Sequence, residues 1–307
     1  MQSVLHPNGE GAGRIAEISW VMFIGAGIIF LLVMILLTLV LYGTPRAKRR
    51  LGRRSLVVAA GLAFPVAVLS ALLAYNLKAA SSLIGADEPP AVRIAVIGEM
   101  WWWRVQYLDA DGQLLFETAN DIRIPYGLPV EFVLRSDNVI HSFWVPRLAG
   151  KLDMIPGHVN RLRVQASEAG LFRGQCAEYC GAQHAKMMFD VQALSPAGFQ
   201  RWMTAQRQPA REPASASLYP GRRLFMQACA QCHTIRGTRA AGTLGPDLTH
   251  IGSRRSVAAG VLPNNIGTLA GWIADSQHIK PGNQMPSFKH LSGQDLRALA
   301  QYLESLE

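Results

Sequence analysis

All four cysteines of this 307-residue chain fall into two short clusters. The first is Cys176-Ala-Glu178-Tyr-Cys180-Gly-Ala-Gln-His184-Ala-Lys-Met187, and the second is Cys229-Ala-Gln-Cys232-His233. Thiolates are ligands for soft metals, and C-x-x-C-H is the attachment pattern of a c-type haem. No cysteine remains for a structural disulfide framework, so the thiols read as chemistry rather than as staples. Both clusters follow a pair of long apolar segments. A membrane-anchored chain with a metal cluster and then a haem motif is suited to moving electrons.

The first cluster fits a pair of copper ions. Two thiolates four residues apart in a loop can bridge two metals, with a histidine completing each. His184 supplies one imidazole. The other is His141, inside the strand-like run Asn138-Val-Ile-His141-Ser-Phe-Trp. Met187 offers a weak thioether, and the backbone carbonyl of Glu178 can reach the second ion. Soft sulfur with imidazole selects copper. A Cys176–Cys180 disulfide or a zinc site would use the same residues, and His141 alone could be an ordinary strand histidine. The thioether and the outlying histidine favour copper. In the second cluster, Cys229 and Cys232 would form thioethers to the haem vinyls and His233 would be the proximal iron ligand.

The elements that must position these groups are legible in outline. Ile18–Tyr42 and Leu56–Leu77 carry no charge, and as helices they would run roughly 37 and 33 Å, enough for a hydrocarbon core of about 30 Å. Six positive charges lie between them, from Arg46 to Arg54. The positive-inside rule places that loop in the cytoplasm, and both chain ends and the metal domains on the outer face. No cleavable signal peptide is visible before Ile18, so the first span is either an uncleaved anchor or follows a removed leader.

The formal charge of +9 divides unevenly: +5 over residues 1–77, −1 over 78–204 and +5 over 205–307. No basic run interleaved with aromatics lies outside the membrane loop, which argues against nucleic acid as a partner. From Ala91 to about Ala193 short apolar runs alternate with turn residues, predicting a β-sandwich or barrel. The expected strands are 91–97, 101–108, 113–117, 130–135, 139–145, 159–166 and 186–192. Residues 205–217 are rich in alanine, proline and polar groups and read as a semi-flexible linker. An amphipathic helix is predicted from Pro220 to Cys229, and Ser292-Gly-Gln-Asp295 opens a final helix through Tyr302.

The first cluster resembles subunit II of the haem–copper cytochrome c oxidases, whose periplasmic cupredoxin domain holds the CuA centre. The family pattern C-x-E-x-C-G-x-x-H-x-x-M is met at Cys176, Glu178, Cys180, Gly181, His184 and Met187, with the upstream histidine at His141. The resemblance spans roughly residues 15–200. It implies that Trp101, in Gly98-Glu-Met-Trp101-Trp102-Trp103, is where electrons enter. It also implies that Glu178 lends its carboxylate to a magnesium ion at the boundary with subunit I, and that Lys151 and 153–157 form a loop beneath the copper. One departure is clear: Leu56 stands where many relatives have a glutamate at the mouth of a proton channel.

Residues 218–307 resemble class I cytochrome c. Gly245-Pro246-Asp247-Leu248 and Met285-Pro286-Ser-Phe288 carry that likeness, which implies that the Pro246 carbonyl orients His233 and that Met285, rather than Met226, binds the opposite face of the haem. His250, His278 and His290 are expected at the surface.

The whole resembles the fused subunit II of a caa-type cytochrome c oxidase. The implied architecture is a transmembrane α-hairpin over 1–85, a CuA cupredoxin β-sandwich over 90–200, a linker over 205–217 and an all-α cytochrome c domain over 218–307. The implied partners are subunit I and other oxidase subunits, with a soluble cytochrome c or a quinol-oxidising complex as donor, in a bacterial inner membrane. Alternatives are an electron-transfer subunit of a nitric oxide reductase-like complex and a membrane copper chaperone.

Overall fold

The structure, a computed structural model, describes residues 3–84 and 89–307. Residues 85–88, including the expected end of the hairpin unit at 85, lie outside that description. The chain divides into two bodies, one of residues 13–88 and one of 1–12 with 89–307.

In the first body the charge-free runs form helices. Helix α1 spans Glu10–Tyr42, and α2 (Pro45–Leu51) carries the basic loop, its N-terminus capped by Thr44. The second apolar run comprises α3 (Arg54–Val58), a π-helical stretch Ala59–Ala63 and α4 (Phe64–Ile84). Pro65 lacks an N–H, and the ladder widens in the turn before it. Two helices, Glu10–Tyr42 and Arg54–Ala80, are long and apolar enough to cross a membrane. Neither buries its apolar window within the chain, as a soluble core helix would.

The second body opens with a sandwich of two five-stranded sheets. Strands β1 (Val92–Glu99), β2 (Trp102–Leu108), β3 (Leu114–Ala119), β4 (Asp121–Pro125) and β5 (Val130–Ser136) come first. They are followed by β6 (His141–Trp144), β7 (Leu152–Met154), β8 (Asn160–Val164), β9 (Gly170–Cys176) and β10 (Met188–Leu194). One sheet runs β3-β2-β1-β5-β8 and the other β4-β10-β9-β6-β7. Alternate side chains of both sheets meet in one core around Trp103, Phe132, Phe143, Phe172 and Phe189. Residues 8–12 join this body: Asn8 and Ala12 donate N–H groups to the carbonyls of Arg147 and Leu148.

Helix α5 (Pro196–Gln206) follows, with Ser195 as its N-cap, and then the helical part begins. It comprises α6 (Tyr219–Ala228), the hairpin β11 (Ser256–Val257) and β12 (Leu262–Pro263), α7 (Ile266–Ala274), α8 (Ser276–Ile279) and α9 (Gly293–Glu304). Helices α6 and α9 cross where Gly221 meets the backbone of Ala298 and Phe225 packs against Tyr302. The segment expected to be a semi-flexible linker is tied down instead. Ala210 N–H donates to Arg236 O, and the Arg236 guanidinium donates to Gln206 O. A Cβ on Gly221 would lie 2.1 Å from the Ala298 carbonyl oxygen, too close for any relaxed packing. Gly221→Val should therefore lower the stability of the helical part by about 1–3 kcal/mol, read as a drop in the thermal unfolding midpoint.

Candidate metal centres

The residues of the first cluster converge at one end of the sandwich. Strand β6 pairs with β9, setting Phe143 opposite Cys176, so His141 at the start of β6 stands beside the cysteine that ends β9. Cys176 Sγ is 3.8 Å from His141 Nδ1, 3.8 Å from Cys180 Sγ and 3.1 Å from the Glu178 carbonyl oxygen. Cys180 Sγ lies 3.6 Å from His184 Nδ1 and 3.8 Å from Met187 Sδ. His141, Cys176, Cys180 and Met187 are all buried. Six donors thus face one another, five of them soft or borderline: two sulfurs at the centre, with two imidazoles, a thioether and one harder carbonyl oxygen around them. His141 Nε2 lies 3.0 Å from Asn138 Oδ1. With its hydrogen on that side, its Nδ1 lone pair faces the sulfurs.

This pair of thiols cannot lose both protons easily. Cys176 is held far below the usual thiol range, first by the hydrogen bond it shares with Cys180 and then by His141, against the opposing effect of burial. Cys180 is pushed up, because it holds the proton of that bond and because burial disfavours a second thiolate beside the first. The positive charge of a bound metal would release that proton, and the donor set suits copper. Glu178 turns its carboxylate outward, 3.7 Å from Lys151 Nζ, which also lies 3.1 Å from Asp153.

The second cluster lines a cavity. Cys229, Cys232, His233 and Met285 all contribute to its wall, and Met226 does not. His233 Nδ1 is 2.9 Å from the Pro246 carbonyl, which can only accept, so the hydrogen sits there and Nε2 keeps a free lone pair. Burial also lowers the histidine's proton affinity, favouring the neutral imidazole that ligates iron. Gly245 leaves space for the ring: a Cβ there would lie 2.5 Å from His233 Cε1. Arg254, buried in the same wall, has an Nε without a partner. Thiols, a pre-oriented imidazole, a thioether and a buried guanidinium with one free N–H fit a c-type haem.

Trp101 connects the two clusters. Its indole Nε1 donates to the Cys180 carbonyl at 2.8 Å. A Cβ on Gly181 would lie 3.2 Å from its Cζ2, and one on Gly282 would lie 3.7 Å from its Cη2 and Cζ3. The ring is therefore packed between the copper-type loop and the loop that leads to Met285. Met100, Trp101 and Trp102 also close one side of the haem-type cavity. Trp103, by contrast, is fully buried in the sandwich core.

One expectation needs correction: His250 is buried, not superficial, because the packed segment before α6 covers it and Gln208 O accepts from its Nε2 at 3.0 Å. Sequence reasoning also passed over Lys280, Gln183 and Arg254, whose roles come from packing between regions far apart in the chain.

The protonation of the thiol pair has a measurable consequence. At pH 8, where free histidine is neutral, binding of redox-inert Zn2+ to the metal-free cluster should release about one proton, that of Cys180, rather than two. Potentiometric titration counts them. Release of two would mean that Cys176 is a thiol in the metal-free chain.

Comparison with known proteins agrees with this geometry. Residues 108–194 match the family described as cytochrome c oxidase subunit II, periplasmic domain, and residues 219–307 match cytochrome c. The chain is 40% identical over 217 residues to cytochrome c oxidase subunit 2 of Alkalihalophilus pseudofirmus, covering 70% of this chain and 61% of that one. It is 32% identical over 235 residues to cytochrome c oxidase subunit 2 of Bacillus subtilis, covering 73% and 64%. It thus spans less than two thirds of the length of these relatives. Among solved structures, the periplasmic domain of subunit II of the cytochrome oxidase of Bradyrhizobium japonicum matches with a TM-score of 0.36 and 26% identity, covering 39% of this chain and 96% of that one. Residues 108–194 are thus similar to the periplasmic domains of cytochrome c oxidase subunit II and residues 219–307 to cytochrome c, in one chain that carries, among the described residues, two helices long and apolar enough to cross a membrane.

Proposed function

We propose that this chain is subunit II of a caa-type cytochrome c oxidase: it accepts electrons at a covalent haem c and passes them to a binuclear CuA centre. From there they go to subunit I, where oxygen is reduced to water with proton pumping. The observation that carries this reading is the seat of Trp101, hydrogen-bonded to Cys180 and packed against Gly282 at once. Both groups, when bound, supply one-electron redox chemistry. The chain's own residues supply the rest. Cys176 and Cys180 with His141, His184, Met187 and the Glu178 carbonyl would hold the copper pair. Cys229, Cys232, His233 and Met285 would hold the haem, and histidine–methionine ligation favours a high potential. Burial keeps water from the sulfurs, and the sandwich fixes their positions, which limits rearrangement when charge arrives.

On this reading the basic loop from Arg46 to Arg54 faces the cytoplasm and both metal domains face the outer side. A soluble cytochrome c or a quinol-oxidising complex is the donor, and subunit I is the acceptor. The Glu178 carboxylate, exposed at the rim, is available for a magnesium ion at the boundary with subunit I.

Optical and EPR spectra of the purified chain, oxidised and then ascorbate-reduced, test the assignment. A c-type haem band together with a copper signal shared over two ions is expected, and haem without that copper signal would refute it. Trp101→Phe, which loses the N–H to Cys180, should leave both spectra intact and slow internal transfer about tenfold or more. Salt should matter little to the internal step. Across the contact between sandwich and helical part, Arg104, Arg123 and Arg173 donate to the carbonyls of Thr243, Ser253 and Gly260. Among the described residues no ion pair spans that contact. The rate should change less than about twofold between low and high ionic strength, since screening acts mainly on exposed charges. A steep fall with salt would contradict this.

A further inference from the structure

Three consecutive residues of the helical part, Ile279, Lys280 and Pro281, are each hydrogen-bonded to the sandwich. Lys186 Nζ donates to Ile279 O at 2.7 Å, and Gln183 Nε2 donates to Pro281 O at 2.8 Å. Both donors belong to the loop that carries His184 and Met187. Lys280 makes the middle bond in the opposite sense: its Nζ donates to Trp101 O and also reaches Ala258 O. Its side chain is almost fully buried, at 3% exposure, and among the described residues no carboxylate is within ion-pair distance. A buried amine must have its N–H groups paired, and these two carbonyls accept from it. Two residues further on, Gly282 packs on the indole of Trp101. Beside this clasp, the hairpin tip is bound as well: Met188 N–H donates to Ala259 O and Arg173 to Gly260 O.

We infer that Lys280 is a positioning residue for inter-centre electron transfer, the key of a clasp at Ile279–Pro281 that fixes the Met285 loop onto Trp101 and so makes the haem domain a docked part rather than a tethered one. The inference rests on the reading of the two clusters as haem and copper sites. Lys280 lines the wall of the haem-type cavity but is not among the residues that would ligate either group; it acts by holding the backbone of Trp101 and the tip at Ala258 against the same loop. Its long, flexible stem delivers one ammonium to two carbonyls from separate segments, which a methionine of similar length cannot do.

The test uses the full chain, loaded with both cofactors, carrying Lys280→Met or Lys280→Arg. Internal transfer is followed by photoreducing the haem and watching the near-infrared copper band. Hydrogen exchange at the Met188 amide, bonded across the contact, reports docking without reference to electrons. For Lys280→Met we expect unchanged haem and copper spectra, a rate lower by about tenfold or more, and faster exchange at Met188. Lys280→Arg, which keeps a donor, should recover most of both. Lys186→Met, at the exposed rim of the clasp, should give a smaller loss in the same direction and leaves the core untouched. Wild-type rate and exchange in Lys280→Met would overturn the clasp. So would a lost haem or copper spectrum, because Lys280 would then support a centre rather than the docking. If the wild-type chain holds both centres yet passes no electrons between them, the functional reading fails, while exchange at Met188 still decides the clasp.

Discussion

Two thiols 3.8 Å apart in a buried pocket set the terms for the sandwich around them. Left alone they share a proton, because burial leaves little water to stabilise a second thiolate next to the first. The fold accepts that cost by surrounding the pair with lone pairs from His141, His184, Met187 and the Glu178 carbonyl, a set that pays back only when a soft cation sits among them. Rigidity follows from the strand that carries His141. It lies between β7 and β9, and its own Phe143 packs on Trp103 and Phe189 of the core. The ligands therefore cannot spread apart to relieve the pair without dismantling an aromatic core.

The same loop serves a second purpose. Between its metal-facing residues stand Gln183 and Lys186, which reach outward to the helical part, while Gly181 supports the indole of Trp101. Inward-facing donors and outward-facing clamps alternate over a few residues. Any change that moved the copper-type ligands would also move the surface against which the cytochrome domain rests. Geometry at one centre and distance to the other are thus governed by a single short segment.

Much of this was legible in the sequence, for a physical reason. Metal and haem chemistry demand particular residue types at close spacing, so the clusters at 176–187 and 229–233 stood out, and charge-free runs marked the two long helices. Most strands of the sandwich were also found, because β2 alternates cleanly and β1, β5 and β10 are short, largely apolar runs. Three were missed. β4 (Asp121–Pro125) follows β3 almost without a turn, β7 is only three residues long, and β9 contains Gly170 and Gly174, which weaken a strand pattern. What composition could not reveal was contact between distant segments. The stretch at 205–217 looked flexible because proline and alanine dominate it, yet Arg236 binds its backbone. Nothing in the sequence sets Lys280 apart from other lysines, and only its burial against Trp101 does so.

The closed contact also bears on how such a chain is made. The cavity that would take the haem has Met100, Trp101 and Trp102 across one side. Burial pushes the Cys229 thiol up to about 11, with Cys232 adding to the effect. A thiol in that state is a poor nucleophile, and both indoles come from the sandwich, so the cavity gains that side only when the helical part is seated on it. Covalent attachment is therefore favoured early, on a helical part not yet seated on the sandwich. The order that follows is haem first and docking second, with the sandwich supplying the last side of the cavity.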